Sequence, residues 1–374
     1  MAEKKKVLVI GGGFSGLTAA VESAEAGSDV IIVEKSPFLG GRVTQLNKYF
    51  PKLCPPNCGL EINFKRIKNN SDVTVYTLAE VEKISGQEGD YSVTVKISPR
   101  FINDRCTGCN ACTEACPVEM PNEFNYGLDR TKAAYITHNQ AYPFKYAIDA
   151  KHCKGKACGK CVAACKYDAI DLDMKQETIE IKAASIVLAA GWEPYDVSKL
   201  DILGGGKIKN VITNMQMERL ASVNGPTSGR ILRPSDGKEA KNVAFVQCAG
   251  SRDENHLPYC SFICCMASLK QATYLREQYP DSKARIFYID MRTPGRYEQF
   301  YVKVKEDPNV VLTKGKVAKL TEDSATGDVV LTVEDVLAGG KITESYDMVV
   351  LATGMVPSTR AAKIPGEISY THEG

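Results

Sequence analysis

Fourteen cysteines punctuate a chain of 374 residues, and they come in groups. One run reads Cys106-x2-Cys109-x2-Cys112-x3-Cys116-Pro117 and a second reads Cys153-x4-Cys158-x2-Cys161-x3-Cys165. A third group, Cys248, Cys260, Cys264 and Cys265, falls in one short stretch, and Cys54 and Cys58 flank Pro55-Pro56-Asn57. Thiolates at such spacings can hold metal, exchange electrons as dithiols or close disulfides. Clustering in a reducing compartment favours metal or redox chemistry over structural disulfides. Zinc sites use paired C-x2-C spacings, not three cysteines followed by Cys-Pro. The first run has the spacing that holds [4Fe–4S] cubes.

That run resembles the cluster-binding segment of two-cluster bacterial ferredoxins, where the fourth cysteine of each run serves the other cube. The resemblance implies Cys106, Cys109, Cys112 and Cys165 for one cube, and Cys153, Cys158, Cys161 and Cys116 for the other. The second run departs from the pattern twice: x4 replaces x2, and Lys166 stands where proline would follow.

Thiolates need elements to hold them, and a second motif shows where those begin. Gly11-x-Gly13-x-x-Gly16 follows the apolar run Val7–Ile10 and opens a stretch with helical spacing at Leu17, Ala20, Val21 and Ala24, closed by Gly27. Val30–Val33 is the next strand, and Glu34 ends it. A glycine triplet alone is weak, but strand, turn, helix and terminal acid together form a dinucleotide fingerprint. Gly11 permits the tight turn, Gly13 the approach of a pyrophosphate, and Gly16 close helix–strand contact. The helix start at Phe14-Ser15 attracts phosphate, and Glu34, followed by Lys35, would accept hydrogen bonds from the ribose. The bland alternative is a glycine turn without a ligand. Gly40-Gly41-Arg42 follows, and two late strands end in small-residue turns, at Ala189-Ala190-Gly191 and Ala352-Thr353-Gly354. These features resemble the FAD-binding units of two-dinucleotide-domain flavoproteins of the thioredoxin reductase type. FAD is what that resemblance implies, with Gly41, Arg42, Ala190, Gly191 and Gly354 at its site.

Periodicity lays out the rest. Residues 72–97 alternate as half-buried strands do, and the pattern breaks over 99–175, where eight cysteines fall among glycines and prolines. Strand alternation resumes at 178–190, and 242–290 reads strand, helix, strand, with the helix over about 262–278. The expected architecture is α/β: two Rossmann-like domains of thioredoxin-reductase type with an inserted two-cluster ferredoxin-like module. The first FAD-domain part would be 1–98, the insert 99–175, the FAD-domain continuation 176–240, a degenerate nucleotide-type domain 241–345, and the return to the FAD domain 346–374.

In that second domain the phosphate turn is missing. The strand Val243–Val246 runs into Gln247-Cys248-Ala249-Gly250-Ser251-Arg252, and then Tyr259-Cys260-Ser261-Phe262-Ile263-Cys264-Cys265. This argues against NAD(P)H there and for a third cube at a helix N-terminus, where the dipole stabilises thiolates. Either Cys264 or Cys265 could be the spare thiol. The two segments, with Gln45-Leu46-x3-Phe50-Pro51 and the cysteines after it, resemble the A subunit of the heterodisulfide reductase family. The resemblance covers nearly the whole chain and is shared by its short branch, the A subunits of the quinone-interacting membrane-bound oxidoreductase and of the sulfur-oxidising heterodisulfide-reductase-like complex. It implies FAD and [4Fe–4S] clusters in an electron-transfer oxidoreductase subunit of sulfur metabolism, partnered by other subunits of a cytoplasmic complex that could dock on a membrane quinone module. The flavoprotein likeness implies a homodimer.

For Cys54 and Cys58 three readings stay open: ligands of the third cube, a redox pair at the flavin, or inert buried thiols. With 47 basic and 45 acidic side chains the formal net charge is +2, which excludes global steering of nucleic acid. Lys4-Lys5-Lys6 precedes only four apolar residues, too few for a secretory signal, and no apolar run reaches a membrane span; a cytoplasmic protein is expected. His138, His152, His256 and His372 form no catalytic constellation. Arg292, Arg296, Tyr297 and Tyr301 read as a solvated strand end. No general acid or base stands out, so the chemistry falls to cofactors. A passive electron conduit without its own substrate and an NAD(P)H-dependent dithiol reductase are the rival readings.

Overall fold

Leu8 and Val9 are neighbours on one strand, and neither meets water. Successive strand side chains point to opposite faces, so this strand must lie between two covering layers. The computed structural model, which describes residues 4–374, shows those layers. The chain forms two units, residues 1–192 with 357–374, and residues 193–356.

In the first unit β1 (Lys6–Ile10), α1 (Phe14–Glu25), β2 (Asp29–Glu34), α2 (Asn57–Lys68) and β3 (Val73–Thr77) alternate. A hairpin of β4 (Ala79–Gln87) and β5 (Asp90–Ile97) follows. The insert then carries α3 (Ala111–Ala115), β6 (Glu119–Pro121), β7 (Arg130–Lys132), β8 (Ala134–Tyr135), β9 (Ala147–Ile148) and α4 (Lys160–Ala164). After it, β10 (Glu177–Ala183) joins the hairpin and β11 (Ser185–Leu188) pairs with β1. The result is a parallel sheet in the order β11-β1-β2-β3 with an antiparallel sheet β10-β5-β4. Leu17, Ala20, Val21 and Ala24 share one face of α1 and pack with Val9, Val30 and Ile32. On the other face Leu8 and Val33 pack with Val93, Val95 and Ile181. Each such aliphatic side chain contributes about 1.5–3 kcal/mol on burial.

The insert has little apolar core of its own: Ile102, Cys112, Ala134, Tyr146, Ile148 and Ile170, with most of the other cysteines packed around them. Buried Arg100 ties it to the Rossmann sheet, donating to the carbonyls of Lys145, Tyr146 and Pro37 and to Thr77 Oγ1.

The chain leaves through β12 (Trp192–Pro194). The second unit runs β13 (Val211–Thr213), α5 (Asn214–Ala221), β14 (Asn242–Ala249), α6 (Cys264–Gln278), β15 (Lys283–Tyr288), α7 (Tyr297–Lys305) and β16 (Val310–Lys314). It ends with β17 (Val317–Glu322), β18 (Val329–Asp335), β19 (Gly340–Tyr346) and β20 (Met348–Thr353). β13-β20-β14-β15-β16 form a parallel sheet, and β17-β18-β19 an antiparallel one. Thr213 caps α5 with a reciprocal Gln216 box. Beneath the sheet Lys270 of α6 pairs with Glu218 of α5 at 3.2 Å, both nearly inaccessible.

The boundaries differ from the pattern-based ones. Residues 193–240 go with the second unit because β13 pairs with β20, and 348–353 form an inner strand of the same sheet. Only 357–374 rejoin the first unit. Apolar alternation shows that a strand exists but not which sheet it enters. Tyr297 and Tyr301 lie on a helix, α7, not at a strand end.

Candidate functional site

The glycine turn is built around backbone contacts that leave one face clear. A Cβ on Gly16 would stand 1.8 Å from the Gly11 carbonyl oxygen, and one on Gly11 2.2 Å from that of Ala189. These two glycines are demanded by packing. Gly13 differs: a Cβ there meets nothing nearer than Gly41 Cα at 3.9 Å. Its openness is toward whatever approaches the turn. α1 has neither a side-chain cap nor an acidic residue in its first turn, so its leading N–H groups are left for an outside acceptor, as a pyrophosphate would be. Phe14 and Ser15 are exposed there. Glu34 is buried, and its carboxylate already accepts from the N–H of Gly12 at 2.6 Å and of Ser36 at 2.7 Å. It clamps the turn; a ribose hydroxyl would use its remaining lone pairs. Lys35 is exposed beside it. Arg42 donates to the Trp192 carbonyl and to Tyr126 of the insert, and stacks over the Trp192 ring at 5.5 Å. Ala190 and Gly191 follow β11, Gly191 with open space around its Cα.

In the insert the two cysteine runs share one local structure despite unequal spacing. Asn110 after Cys109 and Gly159 after Cys158 both hold positive φ, +70° and +56°. Each opens a five-residue helix that ends on an extended cysteine, Cys116 or Cys165. The two additional residues of the second run are absorbed by a turn at Gly155–Ala157. Cys116, Cys153, Cys158 and Cys161 wall one cavity. Cys106, Cys109 and Cys112 gather near Tyr146, and Cys165 joins Cys106 and Cys112 in the same apolar cluster.

The third group converges in the same manner. Cys248 is the last residue but one of β14, Cys264 and Cys265 open α6, and Cys260 lies on the loop between. All four wall a second cavity. Three non-glycine residues of its lining, Cys248, Arg252 and Phe262, have φ of +55°, +57° and +63°. Such strain persists only where the surroundings over-determine it, and it gathers at functional sites. Ser251 lines the cavity, and its buried Oγ has no hydrogen-bond partner among the described residues. Arg252 is held by Asp290 at 2.8 Å, and Arg292 lies over the Phe262 ring at 5.3 Å. Gly354 belongs here too: a Cβ on it would strike Ser251 Oγ at 2.3 Å.

The donor sets suit cubes. A zinc ion needs thiolates about 2.3 Å from one point, and among the described residues no three His, Cys, Asp or Glu side chains converge that way. The cysteines instead surround voids. Backbone N–H groups aim at sulfur in each set: Ala169 at Cys165 (3.4 Å), Gly155 at Cys153 (3.3 Å) and Phe262 at Cys260 (3.4 Å). Burial pushes the thiols upward, Cys112 to about 11 and Cys264 to about 12, with Cys161, Cys248 and Cys265 also raised. At Cys264 and Cys265 burial thus outweighs the thiolate-stabilising helix start. Ligation must expel these protons.

Cys54 and Cys58 lie in the first unit. Tyr49 donates its N–H to the Cys54 carbonyl at 3.0 Å, and its phenol stands beside both thiols. A Cβ on the next residue, Gly59, would meet Tyr49 Oη at 2.6 Å and Phe14 at 3.8 Å, which puts the pair near the start of α1. Cys58 is exposed and Cys54 half-buried. His256 Nδ1 bonds Tyr195 Oη at 2.8 Å, and His152 pairs with Asp149. Sequence reasoning missed Asp290 and Arg292 as cavity residues, because they follow β15, far along the chain from the cysteines, and carry no spacing signal; Ser251 and Arg252 stood in the cysteine segment without a role.

Comparison with known proteins agrees with this architecture. Residues 6–54 match the family described as FAD dependent oxidoreductase, and residues 99–121 the 4Fe-4S binding domain. The thioredoxin reductase of T. acidophilum superposes on 99% of this chain and 84% of its own, with a TM-score of 0.50 at 13% identity, a likeness of fold alone. The iron-sulfur A2 subunit of the CoB–CoM heterodisulfide reductase of Methanopyrus kandleri is 41% identical over 98% of this chain and 56% of its own. The A subunit of the ferredoxin/F420H2-dependent CoB-CoM heterodisulfide reductase of Methanosarcina acetivorans is 42% identical over 96% of this chain and 45% of its own. The first unit is therefore an FAD domain and the insert a [4Fe–4S] domain. The chain spans about half the length of these curated relatives. Over nearly all of its own length it is a homologue of the heterodisulfide reductase A subunit.

Proposed function

We propose that this chain is the flavin and iron–sulfur electron-transfer part of a multi-subunit oxidoreductase of sulfur metabolism. Bound FAD supplies two-electron chemistry and the cubes one-electron steps. The chain's own residues do the holding. Gly13 and the start of α1 receive the pyrophosphate, and Glu34 braces the turn. Cys106, Cys109, Cys112 and Cys165 hold one cube, and Cys116, Cys153, Cys158 and Cys161 the next. Cys248, Cys260, Cys264 and Cys265 hold a third. The observation that carries the reading is the convergence of four cysteines on each of two cavities, one in the insert and one where a nucleotide domain would keep its glycine turn. Cys54 and Cys58 keep their three readings. Other subunits as partners, a homodimer and docking to a membrane quinone module remain part of the proposal; among the described residues no helix is long and apolar enough to cross a membrane.

Anaerobic reconstitution tests this. The chain should bind one FAD and about twelve irons. Cys248→Ser or Cys260→Ser should remove about four irons and one paramagnetic signal and leave the flavin in place. An unchanged iron content would overturn the third cube. A second reading, a passive conduit, is favoured by the absence of an acid–base constellation. Reduction of the bound flavin only with a partner subunit supports the oxidoreductase; a flavin silent towards every small reductant supports the conduit. Fast bleaching by NADH would revive a pyridine-nucleotide reductase, against which the cysteine-filled end of β14 speaks.

A further inference from the structure

The hairpin of β6 and β7 has its two ends at one place and its tip at another. Pro117 and Val118 before β6, and Ala133 after β7, line the cavity walled by Cys116, Cys153, Cys158 and Cys161. The tip is held more firmly than a short loop requires. The Asn122 side chain accepts from the N–H of Phe124 at 3.2 Å, buried Asn125 donates to the Asp129 carboxylate at 3.0 Å, and Gly127 donates its N–H to the Asn122 carbonyl at 3.0 Å. Within this frame Tyr126 takes a φ of +53°. A bulky residue rarely adopts that conformation and keeps it only where its surroundings enforce it. A loop that had only to turn would carry glycine or asparagine there.

What the strain delivers is a phenol. Tyr126 Oη accepts from Arg42 Nη1 at 3.1 Å and donates to Gln45 Oε1 at 2.7 Å, while Gln45 Nε2 donates to the Phe124 carbonyl at 3.2 Å. Arg42 and Gln45 belong to the short turn Gly41–Gln45, and that turn is fastened to the phosphate turn. Gly40 donates its N–H to the Gly12 carbonyl at 2.8 Å, and a Cβ on Gly41 would stand 2.9 Å from Gly13 Cα. Arg42 reaches from there to Trp192, the residue after Gly191. The insert thus sets a side chain against a segment that touches both turns assigned to the flavin. We infer that the iron–sulfur insert completes the flavin site, with Tyr126 as a positioning residue that fixes Arg42 and Gln45 for bound FAD. The inference rests on the reading of Gly13, Arg42 and Gly191 as flavin residues. A guanidinium on a flexible stem loses less freedom on meeting a ligand when another group already holds it. A phenol suits the task because one oxygen accepts from the guanidinium and donates to the amide at once. Loss of this contact weakens flavin binding without abolishing it, since the turn from Gly11 to Gly16 is untouched.

The test is a titration of the anaerobically reconstituted chain, freed of flavin, with FAD. Tyr126→Phe should keep the iron content, the cluster signals in electron paramagnetic resonance and the melting temperature without FAD. Its Kd for FAD should rise about three- to tenfold, the worth of one hydrogen bond. A double-mutant cycle shows whether the phenol acts through Arg42. Arg42→Met alone should weaken FAD binding, and adding Tyr126→Phe in that background should change Kd little further. Gln45→Leu removes the phenol's acceptor from the other side, leaves the insert's own sequence intact, and should weaken FAD binding to a similar extent. Equal Kd in the parent and Tyr126→Phe would overturn the proposal, as would a loss of the same size with and without the Arg42 guanidinium. If Tyr126→Phe loses iron or melts early, Gln45→Leu decides, and a parent-like Kd there overturns the proposal too. If the parent itself binds no FAD while its cluster signals are intact, the flavin reading fails first.

Discussion

Ser251 is the residue on which the third site can be tested most finely. A buried hydroxyl without a partner is costly, by about 1–3 kcal/mol, and this one lines a cavity walled by four cysteines. A cube there offers sulfur acceptors, and a hydrogen bond to sulfur favours the more negative, reduced cluster. Ser251→Ala should therefore keep the iron content and lower the third cube's midpoint potential, read by electron paramagnetic resonance in a redox titration. An unchanged potential would show that the hydroxyl points to something else. At this scale the cysteines were legible because ligation demands a residue type at a spacing. Asp290 and Arg292 were not, because tuning a site demands only proximity, which the fold creates from distant segments, and Ser251 was visible beside Cys248 but not its unpartnered hydroxyl. Glu34 was legible as the acid ending a strand, but not its bonds to Gly12 and Ser36, which depend on the turn's shape.

Elements separate the glycines that build the turn from the one that serves a ligand. Gly16→Ala places a methyl 1.8 Å from the Gly11 carbonyl oxygen, a backbone atom that cannot swing away. That variant should lose stability and flavin together. Gly13→Ala meets open space on the protein side, so its melting temperature without flavin should stay close to the parent's while its flavin affinity falls at least about tenfold, roughly 1.4 kcal/mol. Calorimetry and flavin titration of both proteins decide it; equal flavin affinity in Gly13→Ala would remove that glycine from the site. The strand–turn–helix order was readable because period and punctuation are local. The shared structure of the two cysteine runs was hidden by their unequal spacing, since a turn at Gly155–Ala157 restores equivalence only in three dimensions.

Across the whole molecule, stability is unevenly sourced. Both units rest on parallel sheets with continuous apolar cores, whereas the insert's core is largely its cysteines. A segment this short rarely folds on apolar burial alone and uses metal as a staple. Its existence could be read from the broken periodicity between residues 98 and 176. The membership of 193–240 could not, because sheet partners are chosen by long-range pairing. Iron and sulfide should then be structural for the insert and not for the sheets. Protein stripped of iron under anaerobic conditions should be cut rapidly by trypsin at the exposed lysines between Lys151 and Lys166, while the holoprotein resists there. Binding free energy is folding free energy where no preformed site exists, so the insert's protection should return with reconstitution. The stripped protein should still bind FAD, because Gly11, Gly13 and Gly16 stand on a sheet that the cubes do not support. Cleavage at equal rates with and without iron would mean that the insert folds on its own, and the cubes would then be cargo in a finished module instead of its core.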